Sequence, residues 1–536
     1  MRSRRIAPVL AVGAAAALVS GLTPGLAVAA APAAGKPAAA DPLKPYTQQK
    51  PVWKRCDAQL PATFQCATVK VPLDYAHPGG KKLQLAVSRI KAASAKERRG
   101  ALLINPGGPG GPGLDMPLYL ASELPTAVKR QYDLIGFDPR GVGVSSPVSC
   151  GLNDTDRNWE HPYKPATFAK DVKWARTVAS KCQAKAGAVL PHMTTRNTAR
   201  DMDVIRAVLG EKKISYLGYS YGTYLGAVYT QMFPQRTDRF VLDSAVDPGR
   251  IWRGMIQVWA EGAEPAFKRW TEWTALHHAQ YRLGDTPAKV SRTFWDLVAR
   301  ADRKPIVVDG VPLRGDDIRA QRAMFFDADY AAQAVADLKK AAEGKSVRRE
   351  GRSAQSPAAP SFARSAASAA AVPQDNSDAA FWAVVCADTR AWPRDPEQYR
   401  KDSVRDKARY PLYGDFVSNI MPCAFWKNGA EPATKVDNKV GALILQNQWD
   451  SQTPLVSGQG LRRTMKGARM VTVLDGEGHG IYGSKSCADK TATAYLTTGK
   501  LPSKDLTCRT PASTAKNQLR LPLPTPPGLS AANGRF

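Results

Sequence analysis

One stretch limits the possible folds more than any other: Ile214–Gly226, ISYLGYSYGTYLG. It pairs a short apolar strand (Ile214, Tyr216, Leu217) with a tight turn and the start of a helix. The turn, Gly218-Tyr219-Ser220-Tyr221-Gly222, fits G-x-S-x-G, the pattern that lifts a serine out of a sheet on a strained strand-to-helix bend. Glycines two residues to either side let strand and helix come close. The same geometry aims the Tyr221 N–H at the serine, beside a helix N-terminus that favours developing negative charge. A solvated serine in a Gly-rich turn would show the same five residues, so the motif needs partners elsewhere in the chain.

The surrounding sequence supplies a sheet for that bend. Thr68–Leu73 and Lys82–Ile90 alternate apolar and polar residues and predict antiparallel strands around a Pro-Gly-Gly turn. Ala101–Asn105 and Tyr132–Phe137 are short apolar runs of the kind buried on both faces of a parallel sheet. The first leads into Asn105-Pro-Gly-Gly-Pro-Gly-Gly-Pro-Gly113, the second into Asp138-Pro-Arg-Gly-Val-Gly-Val-Ser145. A helix is expected over Phe168–Ala186. Another should be capped by Thr198, with Asp201 as its acidic third residue, and stop at Gly210. Phe240–Asp243 is the next strand, and the pattern resumes at Gly441–Gln446 and Met470–Leu474. This alternation predicts an α/β fold, a doubly wound and mostly parallel sheet, with core segments at 43–250 and 439–508.

Between the two core segments, 251–438 looks helical and aromatic-rich, with Trp252, Trp259, Trp270 and Trp295 among its residues. An insertion at that point would cap the carboxyl ends of the strands. Within it, 344–380 is rich in Ser, Ala, Arg and Pro and is expected to be a mobile loop. The C-terminus from Leu506, and 509–536 in particular, reads as a Pro-rich tail.

Two of the late strands end in chemistry. One runs into Asn447-Gln-Trp-Asp450, the other into Gly476-Glu-Gly-His479-Gly480. Ser220, Asp450 and His479 thus follow in the chain order of the α/β-hydrolase triad. Serine is a weak nucleophile at its free pKa. His479 would take its proton and pass it to the leaving group, and Asp450 would orient the imidazole. His479 is one of six histidines and the one in a Gly-flanked loop after a late strand. Asp475 is a rival acid, but lies too close along the same strand end. Backbone N–H groups of Gly107 or Gly108, with that of Tyr221, would form the oxyanion hole. No metal or other cofactor is called for.

Together NPGGPGGPG, FDPRGVGVS, GYSYGTYLG, NQWDSQTP and GEGHG resemble the secreted tripeptidyl aminopeptidases of actinobacteria, relatives of the prolyl aminopeptidases. The resemblance runs from about Pro51 to Cys508, and 400–508 is similar to the C-terminal domain of that group. It implies peptide substrates, with short peptides, tripeptides, released from free N-termini. Prolyl aminopeptidases usually carry His before their GGPG where this chain has Asn105-Pro106, which counts against strict proline specificity. The implied activity needs acids near the cleft for the substrate ammonium; Glu261, Glu264 and Asp247 stand at the expected cap entrance. A secreted esterase or lipase of the same fold is the alternative, and a non-catalytic binding protein on the same scaffold is disfavoured by the intact triad.

The remaining features concern where the chain works. Arg2, Arg4 and Arg5 precede an apolar run ending at Ala27-Val-Ala29, so 1–31 reads as a signal peptide of an exported bacterial protein, with 32–42 a short pro-segment. No second apolar stretch of about 18 residues follows to make a stable membrane span. The eight cysteines suit an oxidising compartment. Among about a hundred possible pairings, proximity favours Cys56–Cys66, Cys150–Cys182, Cys386–Cys423 and Cys487–Cys508. A zinc site is the other use of cysteine, and no C-x-x-C supports it. Lys+Arg 75 against Asp+Glu 47 gives +28, but the charges are scattered. That suits a solvated surface adhering loosely to acidic cell-wall polymers rather than nucleic acid.

Overall fold

The computed structural model describes residues 41–345, 347, 372–427 and 429–510. The expected signal and pro-segments lie almost wholly outside these residues, as does 511–536 of the tail. The strands are β1 (Lys54–Arg55), β2 (Gln65–Pro72), β3 (Lys82–Ile90), β4 (Gly100–Asn105), β5 (Tyr132–Phe137), β6 (Ile214–Tyr219), β7 (Thr237–Asp243), β8 (Ile306–Val308), β9 (Val311–Leu313), β10 (Ala442–Trp449), β11 (Arg469–Glu477) and β12 (Leu506–Arg509). Ten of them form one sheet in the order β1-β2-β3-β5-β4-β6-β7-β10-β11-β12; β8 and β9 make a separate hairpin. Pairings from β1 to β5 are antiparallel, and every pairing from β5 through β12 is parallel. The α/β architecture is therefore as the strand–helix alternation requires.

The period-2 geometry of a strand divides the core into two. Ala101, Leu103, Ile214, Tyr216, Ala442 and Ile444 pack on one face. Leu102, Ile104, Leu217, Tyr219, Leu443 and Leu445 pack on the other. Both faces are covered, so β4 and β6 are largely apolar and buried at every position.

The insertion between β7 and β10 has its own apolar centre around Trp270, Phe294, Phe325 and Val335. It does not stand apart, because the helix Arg253–Leu276 runs through both cores. Met255, Ile256 and Trp259 join the main core, while Ala263, Phe267 and Trp270 join the insertion's. From Pro42 onward the chain is one unit.

Three expectations need correction. The helix after the 3₁₀ turn Leu190–His192 is Thr195–Val208, capped by Thr194, whose hydroxyl accepts from Asn197 N at 3.2 Å. Thr198 and Asp201 are buried inside it, where Asp201 meets a buried arginine rather than a helix end. Of the loop expected over 344–380, residues 346 and 348–371 lie outside the described ones, and its far end is helical: Asn376–Ala387 is a helix buried along most of its length. Gly110 lies so close to it that a Cβ there would sit 2.6 Å from Ser377 O. Finally, Leu506–Arg509 is the sheet's edge strand, held in place by the Cys487–Cys508 disulfide. The other disulfides join Cys56–Cys66, Cys150–Cys182 and Cys386–Cys423, the pairing that proximity favours.

Candidate active site

The G-x-S-x-G bend forms as its glycines require. Ser220 takes φ 56°, ψ −126°, a region that costs a non-glycine residue roughly 1–3 kcal/mol and persists only where neighbours fix it. Its N–H donates to Asp243 O at 3.0 Å, and its carbonyl accepts from Thr223 N (2.9 Å) and Thr223 Oγ1 (2.7 Å). A Cβ at Gly218 would lie 2.5 Å from the Tyr216 ring and 2.6 Å from Gly222 O, so no larger residue fits. Ser220 itself is buried, with 7% of its surface exposed.

Asp450 and His479, far apart in the chain, meet at the ends of adjacent β10 and β11. His479 Nδ1 lies 2.9 Å from both carboxylate oxygens of Asp450. An ionised carboxylate only accepts, so this contact makes Nδ1 the donor and leaves Nε2 of the neutral ring as an acceptor. Asp450 is fully buried and also accepts from Gln452 N (2.8 Å), Thr453 N (2.9 Å) and Thr453 Oγ1 (3.0 Å). Asp475 points elsewhere: its side chain is 64% exposed and pairs with Arg509.

A residue that sequence reasoning passed over ties the two halves together. Asp243 ends β7, and its backbone carbonyl receives the Ser220 N–H. Its buried carboxylate accepts from Ile481 N (3.0 Å) and Tyr482 N (2.7 Å), just past His479. Ser244 Oγ donates to Asp243 at 3.1 Å and accepts from Gly480 N at 2.8 Å. Tyr219 OH adds a bond to Tyr482 O at 2.8 Å. Burial pushes the Asp243 carboxyl up to about 7, while these backbone donors and His479 pull the other way. The available signal was weak: an acid at the end of an apolar strand, next to the elbow strand.

The Gly-rich loop lies against the serine. A Cβ on Gly107 would fall 2.8 Å from Ser220 Cβ and 3.1 Å from Tyr221 N. Of the two candidate donors in that loop, Gly107 N–H is already used on Asn105 Oδ1 at 3.0 Å, which leaves Gly108. Asp138 holds the far end by accepting from Gly113 N and Leu114 N, each at 2.9 Å. Behind it, Arg140 forks onto Asp201 with two 2.7 Å bonds, both residues buried. The Tyr221 side chain is also fixed, with its hydroxyl 2.9 Å from Thr195 Oγ1, which donates to buried Asp388.

The comparisons with known proteins agree with this geometry. Residues 100–305 match the model of the alpha/beta hydrolase fold, and 410–508 that of the TAP-like proteins. A tripeptidyl aminopeptidase of Streptomyces lividans is 38% identical, over 85% of this chain and 86% of that protein. The chain belongs to the tripeptidyl aminopeptidase-like α/β-hydrolase serine peptidases. It is also similar to the serine protease Hip1 of Mycobacterium tuberculosis, 30% identical over 87% of this chain and 92% of that one. Carboxylesterase B of the same organism is 32% identical over 90% and 95%.

The three acids expected to meet a substrate ammonium are spread along the insertion's first helix and the turn before it. Asp247 accepts from Gly249 N at 2.8 Å. Glu261 pairs with Arg250 at 2.6 Å, and Glu264 accepts from Leu412 N at 2.7 Å. Each thus holds a neighbouring segment. The insertion reaches the triad's loops by other residues: Trp259 Nε1 donates to Gln452 O (2.7 Å), Arg322 Nη1 to Ser451 O (2.8 Å) and Arg269 to Glu477 (2.8 Å).

Proposed function

We propose that this protein is an exported serine exopeptidase that releases tripeptides from free N-termini. The observation that carries the reading is the pair of buried Asp450 and half-buried His479, set on the same sheet edge as the strained Ser220 turn and joined to it through Asp243. The names of its Streptomyces relatives support the tripeptide unit. In this mechanism His479 Nε2 takes the Ser220 proton as Oγ attacks the peptide carbonyl. Asp450 holds Nδ1–H and stabilises the imidazolium. The oxyanion is received by the N–H groups of Tyr221 and Gly108. His479 then protonates the departing amine, and water, deprotonated by the same imidazole, releases the peptide from Ser220.

Export is supported by the four disulfides and the Arg-led apolar N-terminus. The net charge of +28 supports loose adhesion to acidic wall polymers. An esterase reading is favoured by one observation, the similarity to Carboxylesterase B. Side-by-side assay of tripeptidyl arylamides, single aminoacyl arylamides and p-nitrophenyl esters separates the two. Turnover of esters alone rejects the peptidase.

A further inference from the structure

A second polar cluster lies against the triad's acid loop, where the insertion meets the segment that follows β5. Arg322 is wholly buried, its guanidinium carbon 4.9 Å from the Trp259 ring and 4.8 Å from the Tyr413 ring. Its Nη1 donates to Ser451 O, the residue after Asp450. Its Nε and Nη2 are buried and make no hydrogen bond. Facing the same groups is Glu160. Tyr413 OH donates to its Oε1, but Oε2 is buried and has no partner. Buried donors and acceptors are nearly always satisfied, each lapse costing about 1–3 kcal/mol, so three such atoms in one cluster call for a ligand.

The cluster's position says which ligand. On one side it touches the Asp450 loop twice, through Arg322 to Ser451 O and through Trp259 to Gln452 O. On the other, Trp159, next to Glu160, packs on Phe381 at 6.3 Å between ring centres. Phe381 in turn abuts the Gly-rich loop: its N lies 3.1 Å from where a Gly110 Cβ would be. The cluster is therefore bracketed by the two loops that flank the scissile bond. An extended tripeptide spans about 10 Å, so its free N-terminus is held away from Ser220, beyond the loops that carry the chemistry.

Resting on the exopeptidase reading above, we propose that Glu160 and Arg322 form the subsite for the substrate's free N-terminus. Glu160 Oε2 accepts from the α-ammonium, and Arg322 Nε and Nη2 donate to the carbonyl of the first residue. A donor pair beside an acceptor matches the ammonium and carbonyl that every unblocked peptide end presents. Glu160 Oε1 stays on Tyr413, which fixes the carboxylate's rotation. Arg322 is held between two aromatic faces and cannot swing to close an ion pair with it. Burial pushes the Glu160 carboxyl up to about 7, with the Tyr413 hydrogen bond and then Arg322 opposing the shift, and a bound ammonium would oppose it further.

The test compares tripeptidyl arylamides with free and with N-acetylated ends on the full-length, processed protein. Wild type should prefer the free end, and Glu160→Gln should collapse that preference by about 10²-fold, chiefly through KM, because a buried partner of the ammonium is lost. Thermal denaturation establishes that the variant is folded. Should E160Q not fold, Glu160→Asp, which keeps the charge but withdraws it, is read for the same loss. A wild type indifferent to acetylation overturns the subsite and the free-N-terminus requirement together, whereas a folded variant with the wild-type preference overturns the subsite while leaving the exopeptidase intact. A wild type that turns over only esters overturns both.

Discussion

The catalytic edge of the sheet and the interior of the insertion solve the same problem differently. Both bury charged side chains. At the edge, carboxylates and amides point at backbone N–H groups: Asp450 at Gln452 and Thr453, Asp138 at Gly113 and Val144, Asn105 at Gly107. Each fixes the path of a loop a few residues away. In the insertion, side chains pair with side chains across long separations, as Arg253 does with Asp402 and Arg319 with Asp415. The first arrangement holds backbone in a strained shape for chemistry. The second holds helices together and, where Arg322 of the insertion faces Glu160 of the core segment, leaves side-chain groups free for a ligand. Rigidity at the nucleophile and specificity above it thus come from different uses of buried charge.

Removing the nucleophile should give the largest effect. Ser220→Ala is expected to lose about 10⁶-fold in kcat with its unfolding transition kept, since triad members act as a unit. Turnover within about tenfold of wild type would place the nucleophile elsewhere. Asp450→Asn comes next, at about 10⁴-fold, because the amide can present N–H to Nδ1 and favour the wrong tautomer. Purified enzyme and a tripeptidyl arylamide measure both. Arg140→Met probes the edge's support rather than its chemistry. It strands the Asp201 carboxylate in a buried site, and chemical denaturation should show a loss of about 3–5 kcal/mol.

Asp243 tests whether the edge is one device. Asp243→Asn keeps one acceptor but turns an N–H₂ toward the Ile481 and Tyr482 donors, displacing the His479 loop. A shift of about 1 Å at that imidazole is worth up to about 10²-fold in kcat, with KM little changed. An unchanged kcat would mean the loop is held without it.

How much of this was legible follows the same division. The sheet, the elbow and the order of Ser220, Asp450 and His479 were visible because apolar runs and Gly-framed turns are local signals. The roles of Asp138 and Asn105 were half visible, as polar residues ending strands. Asp243 was not, since its partners lie 238 and 239 residues away. Thr198 misled because its neighbour Thr194 caps equally well, and Thr198 belongs one turn inside the helix. Asn376–Ala387 was hidden by the Ser/Ala-rich stretch before it, and its burial against Gly110 is a tertiary effect. The Glu160–Arg322 cluster draws on segments 162 positions apart and has no pattern of its own.

The smallest expected effect bears most directly on that last contrast. Glu261 stands at the insertion's mouth and looks, from sequence, like an anchor for an ammonium. Its carboxylate is already engaged by Arg250, and both side chains are 34% exposed, so water screens the pair. Glu261→Gln should therefore change stability by under about 1 kcal/mol and the KM for a tripeptidyl arylamide by under about twofold. Glu160→Gln, by contrast, removes an acid with a buried, unused oxygen. Measured together on the same free and acetylated substrates, the two variants rank the acids. A large KM increase in E261Q with none in E160Q would move the anchor to the rim and leave the buried cluster a structural one.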